Sequence, residues 1–476
     1  MAASEVVPYA KTGGLGDVLG ALPRALHRIG IDVSIVLPAY SSITPERFGL
    51  RRTEWTLEVP VSQQIVRAGV LRAELDGGIP VYFIDAPQYF ARPFLYGTAD
   101  GPYLDNAERF AFFSRAILVL TERIGAPHVL HCHDWQTALA PVFLRADAAR
   151  YPTLAHVRTV MTIHNLGYQG LFWHFDWSLL NLDWRYFSPD FLEFYGKINY
   201  LKGGIVFADA ITTVSPTYAR EIQTPEFGHG LDGVLVSRRH ALTGILNGVD
   251  YEEWDPERDA LIAAPYTADE RSGKAACKAD LQTVMQLPVD PAVPVIGIVS
   301  RLADQKGLDL VAAITPQLLR KRVQVVVLGS GDTHYEALVQ QLARQYPQRL
   351  AARIAFDNPL AHKIEAGSDL FLMPSRYEPC GLNQIYSLRY GTIPIVRATG
   401  GLEDTITDFD PQTGAGTGFK FTDYTAAALL ACIEHALQTF RRPKAWAALM
   451  CNAMRVDFSW ERSADAYAQL YRRTCE

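Results

Sequence analysis

The feature of this sequence that most constrains its fold is a repeated order of short apolar run, polar loop and amphipathic helix. In the second half, each apolar run is followed by a loop rich in Gly, Asp or Ser and then by a helical pattern, first seen from Leu308. This alternation is typical of a doubly wound α/β fold with a parallel sheet. The predicted strands of this half are Pro294–Val299, Val323–Leu328, Asp369–Met373 and Ile393–Val396.

The first half repeats the pattern, with predicted strands at Val33–Leu37, His128–Leu130, Thr159–Thr162 and Ala210–Val214. We therefore predict two Rossmann-like domains, residues 1–250 and 251–455, and a final amphipathic helix within residues 456–476. Ligands of such sheets bind beyond the carboxyl ends of the strands, and each distinctive motif of this chain falls at such an end. The active site is accordingly expected in a cleft between the domains.

Composition narrows the function classes. The 476 residues, 49% of them hydrophobic, are enough for two or three domains. A net charge of −6 with both signs interspersed does not indicate binding to nucleic acid or to an anionic membrane. Six cysteines without a CxxC pair are typical of reduced thiols, so we predict a cytoplasmic protein without disulfides. The sequence has neither a signal-peptide pattern nor an apolar run near the ~20 residues that span a bilayer.

The segment KTGGLGD at residues 11–17 places a glycine loop directly before an amphipathic helix. Backbone amides at such a helix start can approach a phosphate closely, and the helix dipole favours the negative charge. An ordinary strand-to-helix turn would use the same glycines, so both interpretations stay open. The spacing matches neither GxGxxG nor a Walker A loop and does not by itself predict dinucleotide or ATP binding.

Two loops of the second half carry charged groups after predicted strands. Arg301 and Lys306 could stabilise the charge on a departing diphosphate, or they could be ordinary surface cations. Glu378 precedes the segment Cys380-Gly381-Leu382, whose amides begin the next predicted helix. A carboxylate beside such amides can hold sugar hydroxyls, although a favourable charge at a helix N-terminus is the alternative.

The segment HCHDW at residues 131–135 also allows two interpretations. Some metal hydrolases begin a metal site with two histidines at a strand end, but such a site needs further ligands at later strand ends. Only His164 is placed to serve, so we predict no metal site. His164 and Asn165 lie in a loop rich in glycine and aromatic residues, where they could contact a sugar or be structural.

Together these segments resemble the bacterial glycogen synthase and plant starch synthase family, retaining glycosyltransferases with the GT-B fold of two Rossmann-like domains. The resemblance runs along nearly the whole chain, and the ordered set of motifs is specific although each motif alone is not. In enzymes of this fold the final helix commonly crosses back to the first domain, and we adopt this for residues 456–476 by analogy. The motifs are KTGGLGDV (11–18), HCHDWQTAL (131–139), TIHNLGYQG (162–170), TTVSPTYAREI (212–222), GILNGVD (244–250), SRLADQKG (300–307) and the segment from SRYEPCGLNQ to GGLEDT (375–405).

The resemblance implies roles for the matching residues. The lysines and the arginine would bind the donor diphosphate, His164 would lie against the transferred glucose, and Glu378 would hold one of its hydroxyls. The implied catalytic residues are Lys11, His164, Arg301, Lys306 and Glu378. The implied donor-binding residues are Gly13, Gly14, Leu15, Gly16, Asn247, Phe356 (against the nucleotide base), Cys380, Gly381 and Leu382. The implied acceptor-binding residues are Tyr96, Asp134, Trp135 and Asn165.

The resemblance also implies the reaction. ADP-glucose would be the donor and an α-1,4-glucan the acceptor, with release of ADP and retention of the anomeric configuration. No metal or other cofactor is implied, because lysine and arginine already neutralise the diphosphate. No pair of carboxylates can be singled out as a glycosidase dyad, so attack from the leaving-group side is expected. UDP-glucose as donor, a small acceptor, or a catalytically silent glucan-binding protein stay open as alternatives.

The sequence departs from the family pattern in two places. The family normally begins with several apolar residues of a strand, whereas this chain begins MAASEVVPYAKTGG. We therefore expect either a start codon assigned late or a first sheet that lacks part of a central strand, and greater stability with the upstream residues restored. Related families carry a second glutamate eight positions after the first, but here Tyr386 stands there, which argues against sucrose-type or lipid-glycan transferases.

Overall fold

The computed structural model describes residues 1–98 and 100–476. The chain forms two compact units, residues 1–248 with 460–476 and residues 249–459. The strands of the first unit are β1 (Ile35–Pro38), β2 (Arg51–Val61), β3 (Gln64–Leu75), β4 (Ile79–Asp85), β5 (Gly97–Thr98), β6 (Gly101–Pro102), β7 (Val129–His133), β8 (Arg158–Ile163), β9 (Leu171–Trp173), β10 (Glu193–Phe194), β11 (Lys197–Asn199), β12 (Ala210–Thr213) and β13 (Leu242–Gly244). The strands of the second unit are β14 (Val295–Val299), β15 (Gln324–Gly329), β16 (Leu350–Ile354), β17 (Leu370–Met373), β18 (Ile393–Arg397) and β19 (Phe419–Phe421).

The α-helices pack on the faces of these sheets. Those of the first unit are α1 (Gly14–Arg28), α2 (Pro45–Phe48), α3 (Pro87–Phe90), α4 (Asn106–Ile124), α5 (Leu139–Ala146), α6 (Tyr200–Phe207), α7 (Pro216–Glu221) and α8 (Asp232–Ser237). The second unit and the final segment add α9 (Ser272–Val284), α10 (Leu308–Leu318), α11 (Thr333–Gln345), α12 (Asn358–Gly367), α13 (Asn383–Arg389), α14 (Gly400–Thr405), α15 (Ala426–Phe440), α16 (Pro443–Met454) and α17 (Trp460–Cys475). Among the described residues, no helix is both long enough and apolar enough to cross a bilayer.

The main sheet of the first unit consists of two four-stranded halves, β13-β12-β8-β7 and β1-β4-β3-β2. Ala2 joins them, because it forms parallel bridges to Cys132 of β7 and to Val36 of β1. The Ala2 amide donates to the carbonyl of His131 at 2.8 Å, and its carbonyl accepts from the amide of His133 at 3.1 Å. From the sequence, part of a central strand was expected to be missing. In the structure Ala2 occupies the place of that strand and pairs with a strand on each side.

The helix α17 packs into the hydrophobic core of the first unit. Its buried residues Trp460, Ala464, Tyr467 and Leu470 recur every three or four positions, which places them on one face of the helix. Burial of a side chain of leucine size stabilises a fold by roughly 1.5–3 kcal/mol, so this face fixes the helix to the unit. Arg28 of α1 and Glu461 form an exposed ion pair at 3.2 Å, which adds little.

The second unit has a six-stranded parallel sheet in the order β16-β15-β14-β17-β18-β19. Numbered by sequence within the unit, this is the order 3-2-1-4-5-6 of dinucleotide-binding Rossmann folds. The strands β14 and β15 are almost wholly buried, as expected where helices cover both faces of a parallel sheet. Both units therefore have the predicted doubly wound α/β class, with β2 and β3 added antiparallel at one edge of the first sheet.

One predicted strand end was wrong. The strand expected at residues 128–130 continues to His133, so His131, Cys132 and His133 lie inside β7 rather than after it. The extension was not predicted because the strands were identified from apolar runs, and the two histidines are polar. They are tolerated in the sheet interior because they are hydrogen-bonded, with His131 Nε2 at 2.5 Å from Thr162 Oγ1 of the neighbouring strand.

A smaller apolar cluster in the second unit explains why Tyr386 replaces an acidic residue. The Trp254 ring lies between the rings of His362, at 3.8 Å and 13°, and Tyr386, at 4.0 Å and 4°. All three side chains are buried, and His362 Nδ1 is 2.8 Å from the carboxylate of Asp259. A glutamate at position 386 would lose this stacking and would bury a charge against an indole ring.

Candidate active site

In each unit the strand order reverses at one point, and the loops beside that point carry the predicted site residues. In the second unit the reversal lies between β14 and β17, which are followed by residues 300–307 and 374–382. In the first unit it lies between Ala2 and β7, which are followed by the glycine loop and by Asp134. Doubly wound sheets bind their ligands at such crevices, so the topology brings each set of residues to a place suited to binding.

The glycine loop is held from inside by Glu5, a residue that the sequence analysis did not single out. Its buried carboxylate accepts hydrogen bonds from the amides of Thr12 at 2.5 Å and Gly13 at 3.1 Å and from the Thr12 hydroxyl at 2.6 Å. One of the amides expected to face a phosphate, that of Gly13, is therefore already bound to a protein carboxylate. The next amides, those of Gly14 and Leu15 in the first turn of α1, are the ones that a ligand could meet.

Lys11 and Gly16 pack closely at the same helix start. Lys11 Nζ forms a partly exposed ion pair with Asp17 at 2.6 Å. A Cβ atom at Gly16 would lie 3.2 Å from the Lys11 side chain and from the Ala10 carbonyl, so a larger residue would displace the lysine. Gly16 thus leaves the space that the Lys11 side chain occupies, whereas Gly13 has open space where a side chain would be.

Tyr96 is linked to the glycine loop through the same carboxylate. Its hydroxyl donates to Glu5 Oε1 at 2.7 Å and lies 2.7 Å from Ser4 Oγ. Burial, together with the neighbouring charge of Glu5, raises the pKa of Tyr96 well above its ordinary value, so the phenol stays protonated. The structure therefore places one predicted acceptor residue and the predicted phosphate loop on a single buried carboxylate.

Three histidines lie side by side behind the first crevice. His131 Nδ1 is 2.8 Å from the Tyr471 hydroxyl of α17, the rings of His131 and His133 are 4.0 Å apart, and His133 Nδ1 is 3.0 Å from His164 Nε2. Burial lowers the pKa of all three, that of His164 to about 3. The imidazoles are therefore neutral at physiological pH, and they can orient hydrogen bonds but carry no positive charge.

Asp134 fixes the loop that carries His164 and Asn165. It has a left-handed backbone (φ 56°), and its Oδ1 accepts from the His164 amide at 2.7 Å. Burial raises the pKa of Asp134 to about 7, although hydrogen bonds from the amides of His164 and Asn165 oppose the shift. A carboxyl group that titrates near neutrality can act as a hydrogen-bond acceptor or donor toward a sugar hydroxyl.

Trp135 and Asn165 have separate sets of contacts near this loop. The Trp135 ring packs edge-on against Phe110 at 4.8 Å and contacts Phe172 at 5.7 Å. Gly170, with φ 64°, allows this approach, because a Cβ atom there would lie 2.6 Å from the indole. Asn165 Oδ1 accepts from the Gly167 amide at 2.9 Å, which holds the loop in a tight turn.

Asn247 is buried near the end of the first unit's main segment. Within residues 1–98 and 100–476, its Oδ1 has no hydrogen-bond partner. A buried acceptor left unpaired costs roughly 1–3 kcal/mol, so a bound hydroxyl or water would stabilise this side chain. In the part of the chain that the structure describes, His, Cys, Asp and Glu side chains form no group of three or more arranged to hold a metal ion.

The crevice of the second unit is built around the pair Lys306 and Glu378. Lys306 Nζ donates to Glu378 Oε2 at 2.6 Å, and Ser375 Oγ donates to the same oxygen at 3.0 Å. Both charged side chains are largely buried, at 17% and 7% exposure. Gly307 makes the approach possible, since with φ 71° its Cβ would lie 2.1 Å from the Pro374 carbonyl.

The remaining predicted residues of this unit surround the pair. Arg301 lies two residues after the end of β14 and is exposed to solvent. Gly381 adopts φ 70°, and Gln384 Nε2 of α13 donates to the carbonyls of Cys380 and Gly381, which holds this segment against the start of that helix. Phe356 follows β16 and is 83% exposed, an unusual position for a large aromatic ring.

Comparison with known proteins shows the family and the fold of this chain. Residues 1–237 match the family model described as the starch synthase catalytic domain, and residues 285–448 match the model described as glycosyl transferases group 1. The glycogen synthase of Koribacter versatilis (strain Ellin345) is 52% identical over 472 residues, which cover 99% of this chain and 97% of that relative. This chain belongs to the glycogen synthase family. A second family member, the glycogen synthase of Anaeromyxobacter dehalogenans (strain 2CP-1 / ATCC BAA-258), is 53% identical over 475 residues, 99% of this chain and 98% of its own length.

Solved structures place this glycogen synthase family member among GT-B glycosyltransferases. The catalytic domain of starch synthase IV from Arabidopsis thaliana, bound to ADP and acarbose, superposes with a TM-score of 0.91 at 35% identity, covering 100% of this chain and 98% of that one. Sucrose-phosphate synthase from Thermosynechococcus elongatus, at 18% identity, has a TM-score of 0.63 over 99% of this chain and 97% of its own, which shows a shared fold alone. The predicted family and fold class are confirmed.

Proposed function

We propose that this protein is a glycogen synthase that transfers glucose from ADP-glucose to the non-reducing end of an α-1,4-glucan, with retention of configuration and release of ADP. The observation that carries the proposal is the buried pair of Lys306 and Glu378 at the crevice of a 3-2-1-4-5-6 sheet. A cation for the leaving diphosphate and a carboxylate for a sugar hydroxyl are thereby fixed 2.6 Å apart. The names of the family members described above support the same activity.

The diphosphate is assigned to the three cations that the sequence analysis predicted for it. Lys306 supplies a point charge and Arg301 a planar fork, and each stabilises the negative charge that grows as the bond to glucose breaks. Lys11 adds a third cation, and the amides of Gly14 and Leu15 add hydrogen bonds from a helix start. In this proposal Gly13 and Gly16 shape the loop, since the Gly13 amide already binds Glu5.

The transferred glucose is assigned to Glu378, to the amides of Cys380, Gly381 and Leu382, and to His164. The carboxylate accepts hydrogen bonds from sugar hydroxyls, and the amides donate them. The neutral His164 adds one more directional group without repelling the developing positive charge at the anomeric carbon. Asn247 contributes its unpaired oxygen, and Phe356 offers an exposed ring face to the nucleotide base.

The acceptor glucan is assigned to the first crevice. Trp135 offers an aromatic surface, and Asp134, Asn165 and Tyr96 offer hydrogen-bonding groups around it. Asp134 is the strongest of these, because a carboxyl group with a pKa of about 7 can accept or donate. No metal is assigned, since the proposed cations neutralise the diphosphate. The cytoplasmic location predicted from the cysteines stays a prediction.

The donor is the finer part of the proposal. The related starch synthase IV was solved with ADP and acarbose, which supports an adenine nucleotide and an oligosaccharide for this chain. UDP-glucose, a small acceptor and a silent glucan-binding role are the alternatives that an experiment must separate.

The test is release of nucleoside diphosphate from ADP-glucose and from UDP-glucose, each with and without glycogen, in the presence of a chelator. Glycogen-dependent release of ADP that survives chelation supports the proposal. Release from UDP-glucose alone overturns the donor, and loss with the chelator overturns metal independence. If neither donor releases a nucleoside diphosphate but the protein still binds glycogen, the protein is a non-catalytic homologue.

A further inference from the structure

The carboxylate of Glu378 is held by two side chains at one of its oxygens. Lys306 Nζ donates to Oε2 at 2.6 Å, and Ser375 Oγ donates to the same oxygen at 3.0 Å. Oε1 accepts no hydrogen bond from the described residues, yet it is not one of the buried atoms without a partner, so solvent reaches it. The two oxygens therefore differ, because Oε2 is bound by the protein and Oε1 is open to a ligand.

The backbone on both sides of Ser375 is bound to the loop that carries Lys306. The amide of Arg376 donates to the carbonyl of Gln305 at 2.8 Å, and Gln305 Nε2 donates to the carbonyl of Tyr377 at 3.2 Å. Gln305 is buried, so water competes little for these hydrogen bonds. The short segment that contains Ser375 is therefore held in place against this loop.

The backbone of Glu378 is held as well. Its carbonyl accepts from the amide of Gly401, in the first turn of α14, at 3.1 Å. Gly400 allows this approach, because it has φ 45° and a Cβ atom there would collide with the same carbonyl. With both backbone segments held, the hydrogen bond from Ser375 to Oε2 determines how the carboxylate is rotated about its last side-chain bond, a torsion that is otherwise broad.

Lys306 alone does not fix this rotation while a donor is bound. In the proposed function its ammonium also faces the leaving diphosphate, so its charge is shared between two anionic groups. Ser375 has a single O–H donor and is only 1% exposed, so its hydrogen bond stays inside the protein. The serine is therefore the partner that remains with Oε2 throughout the reaction.

A buried serine that serves the fold alone has a different partner. Ser387 of α13 is fully buried and donates to the carbonyl of Gln384, in its own helix, at 3.0 Å. Its acceptor is a main-chain group, whereas the acceptor of Ser375 is a carboxylate assigned to the substrate. Ser387 is thus a matched control, because burial, residue type and hydrogen-bond length are the same and only the acceptor differs.

We infer that Ser375 is a positioning residue, which turns the Glu378 carboxylate so that Oε1 is the oxygen that accepts a hydroxyl of the transferred glucose. The inference rests on the proposed function for the identity of this sugar. Ser375 itself does not contact the substrate. It acts through Glu378, since a carboxylate that is already oriented needs no reorganisation when the transition state forms.

The first measurement is a cycle of variants assayed for release of ADP from ADP-glucose in the presence of glycogen. Ser375→Ala should lower kcat/KM for the donor about tenfold, which corresponds to about 1.4 kcal/mol, and should leave KM for glycogen within about twofold of the wild type. Ser387→Ala should leave both quantities near their wild-type values. In the background of Glu378→Ala, the change at Ser375 should have no further effect, because no carboxylate remains to be oriented.

A tenfold loss that persists in the Glu378→Ala background overturns the inference, since Ser375 would then act by another route. An equal defect in Ser387→Ala overturns it too, because loss of any buried serine hydroxyl in this unit would then suffice. Unchanged activity in Ser375→Ala has the same consequence.

The second measurement uses no substrate and so separates this inference from the proposed function. The side-chain carboxyl ¹³C resonance of Glu378 is identified by its absence in Glu378→Ala. It should shift in Ser375→Ala, which loses a hydrogen bond to that carboxylate, and stay unchanged in Ser387→Ala. An unshifted resonance in Ser375→Ala overturns the positioning role. If the resonance shifts but the wild type releases no nucleoside diphosphate from either donor, the proposed function fails while the control of the carboxylate by Ser375 stands.

Discussion

His133 Nδ1 and His164 Nε2 lie 3.0 Å apart inside the first unit, and both imidazoles are neutral because they are buried. One N–H must therefore lie between them. Among the described residues, His133 Nε2 is buried without a partner. A buried N–H is rarely left unpaired, so we expect the His133 proton on Nδ1, donated to His164. The proton of His164 is then on its Nδ1, where it can face a ligand.

Replacing His133 tests this orientation. His133→Leu should lower kcat by about tenfold, because loss of a buried hydrogen bond costs roughly 1–3 kcal/mol. His133→Asn, whose side-chain amide can occupy the place of Nδ1, should recover much of that loss. The readouts are kcat with glycogen and the ring ¹⁵N shifts of His164, which report its tautomer. An unchanged His164 tautomer in the leucine variant would contradict the assignment.

The pair of Lys306 and Glu378 can be measured with a double-mutant cycle. Each of Lys306→Met and Glu378→Gln leaves one buried group without its partner, so each should destabilise the second unit by about 3–5 kcal/mol. The double variant should lose less than the sum. In activity assays, Glu378→Gln should lower turnover by about 100-fold or more, and Lys306→Met should chiefly raise the KM for the donor. Additive changes in urea unfolding would show that the two groups are not coupled.

Glu5 gives a third prediction. Glu5→Ala removes the acceptor of two loop amides and a hydroxyl, so it should loosen the glycine loop and raise the KM for the donor about tenfold. The matched control is Tyr96→Phe, which removes another hydrogen bond of the same carboxylate but leaves the loop amides bound. This control should leave the donor KM near the wild-type value. Equal donor defects in both variants would show that the loop does not depend on Glu5.

The pH dependence of stability follows from four buried groups. The folded pKa values of His131, His133 and His164 are lowered from about 6.5, so the stability that these neutral histidines contribute above that pH is lost as the pH falls below it. Asp134 acts in the opposite direction, since its folded pKa of about 7 makes its protonated form more favourable in the folded state. Between about pH 6 and 4 the unfolded chain thus binds more protons than the folded chain, and stability should fall by up to roughly 3 kcal/mol per pH unit.

Thermal unfolding at pH 7.5, 5.5 and 4.5 measures this slope. The variant His164→Asn lacks one of the three histidines and should lose roughly a third of their contribution on acidification. The comparison cancels the other titrating groups, which the two proteins share. The same pH dependence in both proteins would mean that His164 is not held neutral by burial.

Much of the fold could be predicted from the sequence because parallel strands buried on both faces appear as apolar runs. The runs at β14, β15, β17 and β18 were found to within one or two residues for this reason. The hairpin of β2 and β3 was missed, since its strands alternate buried and exposed residues at a sheet edge. The end of β7 was misplaced because the hydrogen bond that stabilises His131 inside the sheet is made with Thr162, which is 31 residues away in the sequence.

The site was predictable in part. The motifs indicated which loop residues belong to the site, because the positions of the loops follow from the pattern of predicted strands. The partners were not predictable, because Glu5 precedes the glycine loop in a segment without a strand pattern and meets Tyr96 from 91 residues away. The signal that the sequence did offer for Glu5 was an acidic residue among apolar and small residues just before a glycine loop.

The parallel rings of His362, Trp254 and Tyr386 give the second unit a spectroscopic signal that belongs to that unit. An indole fixed between two parallel rings has one environment, and its near-ultraviolet dichroism is strong only while all three rings keep their places. The difference spectrum between the wild type and Trp254→Phe therefore isolates a signal from residues 249–459 alone. When this difference signal is followed through a denaturant titration, it reports the unfolding of the second unit independently of the unfolding of the first.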